Sequence, residues 1–149
     1  MATAFPSLDD GLHESVVPAK GCPLLAQAVP AGFPSPAADY IEQHLTLDAH
    51  LIERPEATFF IRVTGHSMTG FGIHDGDLLV VDRSVTPTSR SIVIAVVDGH
   101  FTVKQLNFLP NGILLRGDSA ATTVQRDLFV GSDQDMTIWG VVRWSIHRV

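Results

Sequence analysis

Between Thr58 and His147 the chain breaks into six short runs rich in β-branched and apolar residues, and this succession constrains the fold more than any other feature. The runs are Thr58 to Thr64, Leu78 to Asp82, Ser91 to Val97, Phe101 to Leu106, Ile113 to Arg116 and Thr137 to His147. Asp98-Gly99 separates two of them at the two-residue spacing of a type I′ hairpin, and Asn111-Gly112 is a second candidate turn. The pattern predicts a mainly β fold, a compact, twisted, largely antiparallel β domain with a few short helices. No internal repeat or low-complexity tract interrupts it.

The N-terminal quarter reads differently. Pro6, Pro18, Pro23, Pro30, Pro34 and Pro36 fall within residues 1–36, a density that keeps helices and strands from propagating. An extended N-terminal arm is therefore expected over 1–36, with the β domain occupying 37–149. The segment from Cys22 to Pro30 is apolar enough to lie against a folded surface. Ser35-Pro36 offers an N-cap followed by proline at the first helical position, and Ile41 and Leu45 sit four apart, which predicts one short helix. Asp48 is expected to cap a second turn that ends before Arg54-Pro55.

Composition excludes several functions. Hydrophobic residues make up 45% of the 149 and charged residues 17%, a balance suited to a folded core. The net charge is −6 with no cluster of Lys or Arg to neutralise a phosphate backbone, so direct DNA binding is not expected. A role at nucleic acid would run through a protein partner. The longest apolar runs, such as Ile92 to Val97, fall far short of the about 18 residues a membrane helix needs. Met1 to Asp10 is acidic and lacks the basic and apolar regions of a secretory signal, so a cytoplasmic location is expected. Cys22 is the sole cysteine, which rules out an intramolecular disulfide and a four-cysteine zinc site.

The stretch from Gly65 to Leu78, Gly-His-Ser-Met-Thr-Gly-Phe-Gly-Ile-His-Asp-Gly-Asp-Leu, joins two predicted strands. A serine placed where a strand gives way to a helical turn exposes its hydroxyl, and free N–H groups of that turn can hold an oxyanion. Ser67 is thus either a nucleophile for acyl transfer or a cap on a short connection, and local geometry leaves both open. A nucleophile needs a base. His66 adjoins it, but neighbouring side chains point apart, which puts His66 at the surface. The other histidines, including His74 and His147, share no spacing.

Lys104 is the better base and the only lysine after residue 20. On the strand after Asp98-Gly99, alternation groups His100, Thr102, Lys104 and Leu106 on one face and Phe101, Val103 and Gln105 on the other. Under cover, desolvation disfavours the ammonium and can bring a lysine from about 10.4 toward roughly 7 to 8. Uncovered, Lys104 is an ordinary strand lysine. Asp75, Asp77, Asp82 and His74 have a spacing that suits a cation, but Asp75-Gly76-Asp77 ahead of an apolar run is a turn signal. No metal and no cofactor is expected.

These residues carry a family resemblance. Gly65-x-Ser67-Met68 followed by Gly72-Ile73-x-Asp75-Gly76-Asp77-Leu78 resembles the nucleophile region of the LexA-type self-cleaving peptidases, and Thr102-Val103-Lys104 resembles their lysine segment. The 37-residue separation of Ser67 and Lys104 is that of the UmuD branch. The segment from Gly32 to Gln43, Gly-Phe-Pro-Ser-Pro-Ala-Ala-Asp-Tyr-Ile-Glu-Gln, resembles the one just after that branch's cleavage point, with alanine before it where the best-known form has cysteine. The resemblance leaves out the first twenty residues.

It implies a LexA/UmuD-type β domain, Ser67 as nucleophile, Lys104 as general base, a backbone oxyanion contribution near Ser67 and Met68, and a scissile bond at Ala31–Gly32. It also implies a homodimer whose cleavage is stimulated by a RecA filament on single-stranded DNA. The shortened form, residues 32–149, would then serve a UmuC-type translesion polymerase in the SOS response. The competing expectation is a non-catalytic or barely catalytic interaction subunit that regulates a polymerase or repressor. A membrane signal peptidase with a related dyad is set aside for want of an anchor.

Overall fold

The computed structural model describes residues 21–119 and 127–149. The expectations for residues 1–20, including Pro6, Pro18 and the acidic start, lie outside them. The chain divides into two units, residues 1–50 and 51–149.

In the first unit, strands β1 (Cys22–Leu25) and β2 (Ile41–Leu45) pair antiparallel, and the N–H of Ala26 donates to the Tyr40 carbonyl at 2.8 Å where they part. A fifteen-residue loop, 26–40, joins them. Helix α1 (Leu47–Leu51) follows. Three expectations are corrected here. The prolines do not keep strands out of this region: Pro23 lies inside β1, opposite His44. A two-stranded ribbon leaves each strand one unpartnered edge, toward which a proline's missing N–H can face. The helix predicted over Ile41 and Leu45 is a strand, because a spacing of four fits a period of two as well as a period of 3.6. Asp48 lies within the first turn of α1 rather than at its cap, and the N–H of His50 donates to the Thr46 carbonyl at 3.1 Å.

The second unit is one seven-stranded sheet. Its strands are β3 (Thr58–Arg62), β4 (Leu78–Asp82), β5 (Ile92–Val97), β6 (His100–Leu109), β7 (Gly112–Arg116), β8 (Leu128–Val130) and β9 (Met136–Ile146). They lie in the order β3-β4-β9-β5-β6-β7-β8 with every neighbouring pair antiparallel. The mainly β, antiparallel expectation holds. The β5–β6 hairpin turns on Asp98 and Gly99 with φ of 48° and 81°, the positive values a type I′ turn requires. The β6–β7 turn sits one residue earlier than predicted. Leu109 pairs with Gly112, so Pro110 and Asn111 make the corner, and proline presets the φ its first position needs.

Burial explains why β5 reads as an unbroken apolar run. Val93, Ala95 and Val97 enter one core with Leu106, Leu115, Val130 and Val141. Ile94 enters the other with Val63, Met68, Ile73, Leu79 and Val81. A strand covered on both faces needs no polar alternation. Each side chain fully buried in this way contributes about 1.5–3 kcal/mol. Strand β9 joins the halves, pairing its C-terminal part with β4 and its N-terminal part with β5. Its register slips once in each pairing, leaving Arg143 and Trp139 as extra residues. Such bulges increase local twist.

Candidate active site

The loop from β3 to β4 is pinned at both ends and in its middle. Val63 and residues 76–77 exchange two backbone bonds of 2.9 Å: the Val63 N–H donates to the Asp77 carbonyl, and the Gly76 N–H to the Val63 carbonyl. The Gly65 N–H donates to Asp75 Oδ1 at 2.7 Å. Asp75-Gly76-Asp77 is thus the turn its composition suggests, and each of its carboxylates accepts a backbone N–H, Asp75 from Gly65 and Asp77 from His74. Met68, 2% exposed, and Ile73, 4% exposed, root the loop in the core. Between them Thr69–Phe71 forms one 3-10 turn, and the N–H groups of Phe71 and Ile73 both donate to the Met68 carbonyl.

Ser67 is half-buried just ahead of this turn, and His66 is exposed, as its adjacency suggests. The Ser67 carbonyl accepts the Asp118 N–H at 2.8 Å, while the Gly70 N–H donates to the Asp118 carbonyl at 2.7 Å. The loop thereby clasps Asp118 from both sides. Gly70 leaves room for the Asp118 side chain: a Cβ there would stand 2.4 Å from Asp118 Cγ and push that side chain aside. The N–H groups of Ser67 and Met68 make no backbone–backbone hydrogen bond among the described residues. Asp118 lies far from Ser67 in the sequence, and nothing in Arg116-Gly117-Asp118-Ser119 announces the pairing.

Lys104 is buried on β6, 9% exposed. Its cross-strand partner is Val93, and alternation puts it in line with Leu106, both of them fully buried. Extending the β6–β7 register one step past Gln105↔Arg116 aligns Lys104 with Gly117, the buried residue before Asp118. The serine loop is thus tied to the segment that leaves β7, and β7 pairs with the lysine strand. Beside Ser67 opens a groove of about 480 Å³, lined by Ile61, Val63, Ser67, Met68, Ile94 and Phe101 among others. Its size and apolar lining suit a short extended peptide. Thr102 and Val103 also line it, and Lys104 does not. Phe101 is 66% exposed and meets Trp139 edge to face at 5.9 Å.

Ala31 and Gly32 belong to the first unit, in the loop between β1 and β2. Both are exposed, as is Phe33 at 93%. Gln27 braces the loop, its Nε2 donating to the Pro36 carbonyl at 2.7 Å and to Ser35 Oγ at 3.3 Å.

Two buried carboxylates flank the framework. Burial pushes the Asp77 carboxyl up, but donors from the His74 N–H, the His147 ring and the Ser145 hydroxyl outweigh it and hold the group below the usual 3.8. Asp82 is also held below 3.8, chiefly by the Ser84 hydroxyl, against the opposing effect of burial and with help from the Ser84 N–H and Arg54. No helix among the described residues is long and apolar enough to cross a membrane.

Comparison with known proteins identifies relatives of the chain. The family model for peptidase S24-like proteins matches residues 23–143. Protein SamA of Salmonella typhimurium is 47% identical over 126 residues, 85% of each chain. Protein MucA of Escherichia coli is 42% identical over 124 residues, 83% of each chain. The LexA repressor of Photobacterium profundum is 39% identical over 108 residues, 72% of this chain and 55% of that repressor.

Proposed function

The chain belongs to the peptidase S24-like family, the LexA/UmuD group of the serine-peptidase kind, and on that premise we propose that it cleaves its own Ala31–Gly32 bond with Ser67 and Lys104. The observation that supports this best is the clasp at Asp118. It ties the Ser67 loop to the end of β7, one residue from the position aligned with buried Lys104. Lys104, buried beside Val93 and Leu106, is the proposed base.

In the proposed reaction the neutral Lys104 amine takes the Ser67 proton as Oγ attacks the Ala31 carbonyl carbon. The N–H groups of Ser67 and Met68, without backbone partners among the described residues, hold the resulting oxyanion. Collapse breaks the C–N bond, and the lysine returns its proton to the Gly32 amine. Water, deprotonated by the same lysine, then hydrolyses the acyl-enzyme and releases residues 1–31. Exposed Gly32 suits the substrate role, since a residue without Cβ bends readily into a groove. A partner that favours the seating of this loop on the dyad raises the rate by population shift.

The wider reading follows the family. The chain acts in SOS mutagenesis as a cytoplasmic homodimer, a RecA filament on single-stranded DNA stimulates its cleavage, and residues 32–149 then assist a UmuC-type translesion polymerase. The direct test is intact-mass analysis of the purified full chain incubated with RecA on single-stranded DNA. Wild type should yield a fragment beginning at Gly32, and Ser67→Ala should yield none. The same fragment from Ser67→Ala would overturn the assignment.

A further inference from the structure

A second cluster of chemically capable side chains forms at the C-terminal end of the Ser67 loop, and the proposed peptidase makes no use of it. His74 and Asp77 come from the turn that leads into β4, and His147 follows the end of β9. One donor atom from each, two imidazole nitrogens and a carboxylate oxygen, lies within 4.8 Å of the others. The arrangement was hidden from the sequence, where His147 stands seventy residues from Asp77.

Three details distinguish the cluster from a chance meeting of polar groups. First, His74 Nδ1 is buried yet has no hydrogen-bond partner among the described residues. Its distance to Asp77 Oδ2, 3.7 Å, is too long for a hydrogen bond. Second, the carboxylate is already oriented. The His74 N–H and the Ser145 hydroxyl donate to Oδ2 at 2.8 and 3.0 Å, as outer partners of a metal-binding carboxylate do. Third, the two imidazoles lie face to face, centroids 4.4 Å apart and tilted 32°, and each side chain keeps 44–46% of its surface exposed. Solvent can therefore supply a fourth ligand.

We propose that His74, Asp77 and His147 form a binding site for a divalent transition metal of borderline softness, zinc being the type ion. Two imidazoles and a carboxylate suit such an ion better than calcium or magnesium, which favour all-oxygen sets. On binding, His147 Nδ1 exchanges its 2.7 Å contact with Asp77 Oδ1 for a bond to the metal, and any proton on that nitrogen leaves to solvent. The ion then staples the end of β9 to the turn whose Asp75 anchors Gly65, two residues before Ser67. Its role is a clamp on the serine loop, and it takes no part in acyl transfer.

The test uses the full chain without a polyhistidine tag, stripped by chelator, and titrated calorimetrically with Zn²⁺ alone. One equivalent is expected to bind and to raise the thermal midpoint. His74→Gln and His147→Gln should each weaken binding by more than the roughly 10–100-fold typical of losing an outer partner. Circular dichroism without metal verifies that both variants fold. Co²⁺ on wild type supplies a readout that needs no variant, with the intense visible bands of tetrahedral coordination expected. Absence of saturable Zn²⁺ binding, unchanged affinity in His74→Gln/His147→Gln, or a purely octahedral Co²⁺ spectrum would overturn the site. None of these readouts depends on cleavage, so the peptidase reading can fail while this one stands, and the reverse.

Discussion

The loop that carries Ser67, residues 63–77, and the loop that carries Ala31 and Gly32, residues 26–40, are both fifteen residues long and differ in almost everything else. The first is bonded to itself at its entrance and exit, rooted by Met68 and Ile73, and clasped onto Asp118. The second is exposed nearly throughout and is braced by Gln27 and by one backbone bond between Ala26 and Tyr40. In the proposed reaction the nucleophile and oxyanion donors have to be held within fractions of an ångström, whereas a substrate loop has to move. Length alone does not set rigidity. The number of buried anchors and backbone bonds does.

The sharpest way to break the contrast is to unpin the first loop. Gly70→Ala drives a Cβ into Asp118 and should cost about 1–3 kcal/mol of stability by overpacking. Displacing Ser67 by about 1 Å should slow cleavage by about 100-fold. Chemical denaturation and the rate of fragment release measure the two. Adding Asp118→Ala removes the clashing side chain, so the double variant should recover part of the lost stability in a double-mutant cycle.

A pH experiment probes the framework behind that loop. The Asp82 carboxyl titrates lower in the folded chain than its unfolded value of about 3.9, because the folded state stabilises the ionised form. Its contribution is therefore complete above about 3.9 and disappears as pH falls through the lower folded value. Asp82→Asn should lower the denaturation midpoint at neutral pH by an amount matching about 1–3 kcal/mol, and the gap from wild type should close in acid.

Limited proteolysis addresses the second loop. Chymotrypsin should cut first after Tyr40, 76% exposed and followed by Ile41, before any site in residues 51–149. An earlier cut inside the sheet would reverse the comparison. The smallest effect is expected from Gln27→Ala, which removes two exposed side-chain bonds. It should change stability by less than about 0.5 kcal/mol while hastening the chymotryptic cut.

Much of the sheet was legible because its determinants are local. Leu78 to Asp82 is the strand its apolar run predicts, and Asp98-Gly99 turns as that dipeptide dictates. Strand β8 was missed because three residues carry too little pattern to register. The β1–β2 pairing was missed because prolines masked one strand and an ambiguous spacing of four disguised the other. The site divides in the same way. The motif around Ser67 is visible in the sequence, whereas the roles of Asp118 and His147 depend on partners tens of residues away. Such contacts are products of sheet order, and no local window contains them.

The account rests on a buried amine acting as the base for Ser67. Its most direct test is the cleavage rate of wild type and Lys104→Ala, without RecA, from neutral pH to about pH 10, where an exposed lysine would also begin to lose its proton. Wild type should speed up with pH and then level off once the amine is neutral, while Lys104→Ala stays slow throughout. Equal rates for the two near the alkaline end would contradict the assignment of Lys104.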